Sequence, residues 1–327
     1  MKNDGNQTKG VTCLFLASLI WGTAFVAQRV GMDYVGPFTF NAVRSLIGAA
    51  ALIPVIFLLR SIRRRGRTQS GSQSGLQADA AIVRPAPDRM SAQEWKNLLQ
   101  GGALSGIFLC AASNLQQAGI QYTTVGKAGF ITALYIVGVP ILGMLLGKKV
   151  GWRIWISVAA AVVGLYLLCM TEKLTINRGD LMELGCAAAF AVQILAVDRY
   201  SHLTEGAMLS CVQFFVSGSI SAVLMLLTEE VNLQALWQAR IPILYAGVLS
   251  CGVAYTLQIL GQRELRPALA SLIMSFEAVI SAIAGWLLLG QRLSTKEIAG
   301  CVVMFAAILL AQMPDRIGTA KNGTEAA

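Results

Sequence analysis

The sequence predicts an all-α integral membrane protein whose ten transmembrane helices form two inverted five-helix repeats. Three observations carry that class: apolar stretches of bilayer length, basic residues crowded onto alternate loops, and matched residues at fixed offsets in the two halves. A helix needs roughly 20 mostly apolar residues to cross the hydrocarbon. Backbone groups find no water there, so these stretches are helices rather than open strands. Composition agrees, with 55% hydrophobic and 13% charged residues and a mean hydropathy of +0.62.

The first half supplies spans over 11–30, 38–59, 98–120, 124–146 and 152–170. The first is not a signal peptide, since it carries Trp21, Gln28 and Arg29 and lacks a small-residue cleavage site. Between spans two and three, 69–87 is rich in Ser, Gly, Gln, Ala and Pro and reads as a disordered, dispensable linker. Ser91 and Glu94 then fit a capping box that starts the next helix. The second half supplies 180–197, 207–227, 241–261, 268–289 and 297–313, with Pro267 suited to a first helical turn.

The net charge of +9 is topological. With the amino terminus in the cytoplasm, cytoplasmic segments hold 18 of the 26 basic residues, the opposite side five, and the spans three (Arg29, Arg44 and Lys127). That asymmetry sets orientation in membranes and puts both termini inside. It also accounts for the basic run at Arg63, Arg64 and Arg65 without nucleic acid.

The halves align weakly but consistently. Leu115 and Gln116 recur as Leu257 and Gln258, and Gly119 recurs as Gly261 at the same offset. Gly10 and Gly179, which start the halves, stand further apart than that. The linkers explain most of the difference, because 60–97 is much longer than its counterpart 228–239. The long linker carries eight basic residues; the short one has none, and carries Glu229 and Glu230. Equivalent loops of opposite charge belong on opposite faces, as an odd number of spans per repeat requires. The predicted units are 10–170, with a cytoplasmic and partly disordered linker over 60–97, then the inverted 179–313 and a cytoplasmic tail over 314–327. Inverted repeats are a recurrent build of secondary transporters, with substrate bound near the midplane at their interface.

Glu277 is the leading site candidate, a lone acid at the centre of 268–289. An ionised carboxylate there costs about 3 kcal/mol on insertion scales, so it faces a cavity, pairs with a cation, or stays protonated. Ser281 lies one turn on. Arg44 shares a face with Asn41 and Ser45, and pairs with Glu277, meets a substrate carboxylate, or snorkels to the interface. Lys127 and Tyr135 share a face bordered by Thr132; the lysine binds an anionic group or anchors the helix. Trp21, Phe25 and Gln28 form a stripe in the first span, and Asn114, Gln193, Tyr255 and Gln258 complete a polar lining drawn from both halves. Each amide alone could equally tie two helices together.

Enzymatic readings find no support. There is no G-x-S-x-G elbow, Walker lysine motif or H-E-x-x-H. The seven cysteines lie inside spans without C-x-x-C spacing and His202 is the sole histidine, so neither a metal nor another cofactor is expected.

These features resemble the drug/metabolite transporter superfamily, in particular its EamA-type branch. The residues concerned are 20–25 (Ile-Trp-Gly-Thr-Ala-Phe), 41–44 (Asn-Ala-Val-Arg), 275–279 (Ser-Phe-Glu-Ala-Val), and 288–290 (Leu-Leu-Gly) followed by Gly300. The resemblance covers 10–313 and implies alternating-access export or exchange of amino acids, metabolites or drugs, with spans five and ten peripheral. The family often has Glu where this chain has Lys148 and Gln291, and Pro where it has Ala278, so no substrate is carried over.

The resulting expectation is a permease of the plasma or inner membrane moving a small polar or amphipathic metabolite such as an amino acid. Its partners are that substrate and membrane lipid; proton coupling and a homodimer stay open. Multidrug or lipophilic-cation efflux is the alternative within transport, and a non-transporting membrane scaffold or receptor the alternative outside it.

Overall fold

The computed structural model describes residues 2–70, 90–122, 125–169, 177–289 and 294–313, and these fold as helices joined by short turns. In chain order the helices are α1 (Lys2–Gly31), α2 (Pro37–Ser70), α3 (Ala92–Gly119), α4 (Val125–Ala133), α5 (Tyr135–Leu145), α6 (Trp152–Cys169) and α7 (Arg178–Ser201). There follow α8 (Gly206–Thr228), α9 (Leu233–Gln238), α10 (Arg240–Leu244), a π-helical segment (Tyr245–Ala254), α11 (Tyr255–Glu264), α12 (Pro267–Met274), α13 (Glu277–Leu289) and α14 (Thr295–Gln312). Among the described residues, nine stretches are long and apolar enough to cross a membrane, and Trp152–Leu167 is a shorter apolar helix.

Helix starts follow local chemistry. Ser91 and Glu94 form the expected capping box on α3, and Asn177 with Asp180 and Ser294 with Glu297 do the same for α7 and α14. Pro267 opens α12, where its missing N–H costs nothing. The start of α2 is capped from a distance: the Glu229 carboxylate, just past α8, accepts from the Phe38 and Thr39 amides at 2.9 and 2.8 Å and from the Thr39 hydroxyl at 2.6 Å.

Four elements depart from the sequence expectation. Helix α2 continues through Ser70 instead of ending near residue 59, so the 60–97 linker begins as helix; most of 69–87 lies outside the described residues. Spans four and nine are each broken, at Leu134 and at Ser275–Phe276, and restart at Tyr135 and Glu277. Span eight runs through a π-helical stretch, Tyr245–Ala254.

The most extensive helix pairings are α3 with α7, α2 with α8, and α6 with α14, and α1 packs along α11 and α13. Small residues permit these approaches, the usual device where lipid gives no hydrophobic drive. A methyl on Gly261 would stand 2.9 Å from the Gly10 carbonyl and 2.6 Å from Leu14; on Gly119 it would stand 3.1 Å from the Gly179 carbonyl and 3.0 Å from Glu183. An apolar cluster including Leu14, Ile136, Val139, Leu195, Leu269 and Ile273 fills one end of the bundle centre.

Candidate functional site

The broken helices bring the central chemistry together. Tyr135 opens α5, Glu277 opens α13, and the tyrosine hydroxyl donates to Glu277 Oε1 at 3.2 Å. Both side chains are buried, and the two positions are 142 residues apart. Nearby, Ser18 donates to the Ile273 and Met274 carbonyls, both at 3.2 Å, at the end of α12. Helix interruptions at membrane depth survive only where such partners or a cavity satisfy the backbone.

A cavity opens beside this pair. Trp21, Gln28, Arg44, Tyr135, Tyr255 and Glu277, all expected from the sequence, line it. Sequence reasoning missed Ser113, Gln116, Phe190, Ile194, Phe214, Ser250, Cys251 and Met274 as lining residues, and had placed Phe25 only on the Trp21 stripe. Apolar types at helical spacing look alike whether they face lipid, a neighbour or a cavity. Among the described residues, none of α6 or α14 is in this lining. Tyr255 sits between Trp21 and Phe214, with ring centroids at 4.8 and 4.9 Å, in edge-on contacts.

The wall carries one basic and one acidic side chain, Arg44 and Glu277. Arg44 is buried with its guanidinium 5.5 Å from the Phe40 ring, and no carboxylate among the described residues lies within ion-pair distance of it. An Arg44–Glu277 ion pair, one of the three alternatives for this side chain, is not formed. Two buried donors on the lining residues, Arg44 Nε and Trp21 Nε1, have no acceptor.

Other candidates tie helices. Asn41 donates to the Ser113 carbonyl and to Asn114 Oδ1, both at 2.9 Å, and Asn114 donates to Ser221 at 2.9 Å. Gln193 donates to Gln213 at 3.2 Å and accepts from Gln258 at 3.4 Å. Ser281 donates to its own helix at the Ala278 carbonyl. Lys127 lies in the first turn of α4, but its side chain falls outside those described. The described residues contain no group of three or more His, Cys, Asp or Glu placed to hold a metal ion.

Space open to water centres is about 50 Å³ in this cavity and about 1170 Å³ in a vestibule at one end of the bundle. The first admits a few waters; the second is far larger. Lys148, Arg153, Asp198, Arg263 and Arg266 rim the vestibule, where Lys148 pairs with Asp198 and Arg263 holds the Ser201 and Thr204 carbonyls. Tyr135 lines the cavity and Val139 the vestibule, so about one helical turn of apolar side chains divides them.

Comparison with known proteins fits this geometry. The sequence profile of the EamA-like transporter family matches twice, over 8–170 and 177–313. An uncharacterized transporter of Archaeoglobus fulgidus is 26% identical over 92% of this chain and 84% of its own. The uncharacterized transporter YoaV of Bacillus subtilis is 22% identical over 90% and 93%, and the uncharacterized inner membrane transporter YedA of Escherichia coli 23% over 91% and 89%. A solved crystal structure superposes with a TM-score of 0.68 over 93% of this chain and 96% of that one at 16% identity, which establishes a shared fold.

Proposed function

The chain belongs to the EamA-like transporter family of multi-pass membrane proteins, and from that premise we propose a secondary active transporter of a small metabolite carrying both an amine and a carboxylate, such as an amino acid. One observation carries the reading: two buried donors without acceptors, on Arg44 and Trp21, and the acid Glu277 belong to the lining of one cavity. A substrate carboxylate fits the donors. Its ammonium fits Glu277 and the faces of Trp21 and Tyr255.

The cavity is too narrow for such a molecule until helices part, as alternating access requires. We place that motion between two inverted five-helix units, 10–170 and 179–313, with both termini cytoplasmic. Helix pairing supports the two-fold relation: exchanging the halves maps α2 with α8 and α6 with α14 onto themselves, and α1–α11 onto α7–α3. Contacts support it too. Gly261 meets Gly10 and Leu14, while their equivalents in the other half, Gly119, Gly179 and Glu183, meet one another. Gly247 likewise meets the Arg44 carbonyl and Ile47, and Gly106 meets the Gln213 carbonyl and Val216.

Lipophilic-cation efflux is the second reading, favoured by the aromatic lining around a single acid. Counterflow in proteoliposomes, screened over amino acids and cationic dyes with and without a pH gradient, separates the two. We expect amino-acid counterflow in the wild type and its loss in R44Q. Dye transport that survives R44Q, with no amino acid moved, would establish the second reading instead. E277Q should insert and fold but lose both net flux and one-for-one exchange. Loss of net flux alone would make Glu277 the proton carrier, and wild-type behaviour in both modes would reduce it to a helix-tying residue.

A further inference from the structure

A second carboxylate lies inside the bundle, away from the cavity lining. Glu183 of α7 is fully buried; the Thr132 hydroxyl donates to its Oε2 at 2.6 Å, and Oε1 has no partner. Thr132 stands just ahead of the break at Leu134 and Tyr135 just after it, so the two parts of span four offer one hydroxyl to each of two acids of the second half. We propose that Glu183 is a proton-binding site, separate from the substrate cavity, whose protonation is tied to movement of the α4–α5 break.

Packing alone does not call for an acid here. At the offset that relates Gly179 to Gly10, the equivalent of Glu183 is Leu14, fully buried and set against Gly261 just as Glu183 is set against Gly119. At the offset that relates Tyr135 to Glu277, the equivalent of Thr132 is Met274, which shares an apolar cluster with Leu14. The same helix contact is therefore made once by Leu and Met and once by Glu and Thr. Leaving a buried carboxylate oxygen without a partner costs stability, and an ionised group at this depth costs more. The neutral acid avoids most of that cost, because its O–H can donate to Thr132 across the same 2.6 Å. A metal cation would need several more oxygen ligands than one carboxylate and one hydroxyl.

The titratable groups around Glu183 are few. On α7 they are Asp180, within the N-terminal capping box, and Cys186; Tyr122 follows α3, Tyr135 opens α5, and Glu277 opens α13. The cation on the neighbouring element is Lys127 in the first turn of α4, whose side chain falls outside those described.

The proposal rests on the transport reading, but its first test needs no substrate. Purified protein in sodium-free liposomes is titrated by infrared difference spectroscopy of the carboxylic C=O stretch, and labelled with dicyclohexylcarbodiimide, which adds covalently to protonated buried carboxyls. We expect a pH-dependent band and a mapped adduct at Glu183, both lost in E183Q. T132V should displace the midpoint of that band while E277Q leaves it in place. E183L reproduces the residue at the equivalent position and should fold, which guards against reading misfolding as loss of a proton site. In transport, E183Q and E183L should keep amino-acid exchange and lose accumulation driven by a pH gradient. A Glu183 carboxyl that never changes protonation while the protein stays folded overturns the proposal and leaves the transport reading intact. Titration at Glu183 in a protein that moves no solute would overturn the transport reading instead. Wild-type accumulation in E183L would make the acid a structural residue.

Discussion

At the residue scale, Tyr135 decides how Glu277 is presented, since its hydroxyl is the donor that reaches Oε1. Hydrogen bonds to charged groups contribute about 1.5–3 kcal/mol net, so Y135F should weaken substrate binding by tenfold or more, read as the half-saturating concentration in counterflow. Asn41 behaves differently because its contacts run to Ser113 and Asn114 between helices. N41A should lower the melting temperature in detergent, at about 0.6 kcal/mol per lost interhelical bond, and leave the order of substrate preference unchanged. A wild-type melt with altered preference would return Asn41 to the cavity. Glu277 was legible because it is the lone acid in a long apolar run. Glu183 was not, for it follows closely on Asp180 near the start of a span and reads as one more interfacial acid. The amides were ambiguous for a physical reason: Asn and Gln suit a polar cavity and a helix-to-helix bond equally well.

The order of the apolar helices was legible, with nine of them long enough to span and Trp152–Leu167 shorter, but their interruptions were not. Around Leu134 the chain reads Thr-Ala-Leu-Tyr and around Phe276 it reads Ser-Phe-Glu, with no Gly or Pro at either break, and the nearby Pro140 lies inside α5 rather than at its start. The breaks depend on side-chain partners in other helices, such as Ser18, that a linear pattern does not reveal. The π-helical segment has a similar origin. Gly247 and Gly261 make the contacts that Gly106 and Gly119 make in the first half, but the stretch between them is longer by one position. That extra residue must be absorbed between fixed points, and a π turn does so at the cost of poorer helix geometry. Deleting Leu249 should restore an α-helical span with equal or better thermal stability. Residues on the cavity side of the deletion would turn relative to those beyond it, and we expect transport to fall below detection. Retained transport would show that the segment is only a scar of insertion.

For the whole molecule, the charge distribution predicts an orientation that labelling can test. On that prediction Lys149, at the vestibule, would face the cytoplasm and Asn232, at the start of α9, the outside. Single cysteines placed there in a cysteine-free background should differ toward an impermeant thiol reagent on intact cells, with Asn232→Cys labelled and Lys149→Cys protected. The opposite pattern would invert the protein, and equal labelling would remove the basis for inverted halves.

On the two-repeat reading, the Tyr135–Glu277 bond joins positions that exchange places when the halves swap roles, because its ends are 142 residues apart. A contact that maps onto itself lies at the fulcrum of the motion. The helices around it can tilt either way while the bond length hardly changes. A solute arriving from either compartment then meets the same phenol and the same carboxylate, and its dissociation constants on the two faces should agree closely. Such a machine has no built-in rectification. The sense of net movement would come from whichever gradient is loaded onto it, and reversing that gradient should run the same protein backwards at a comparable rate.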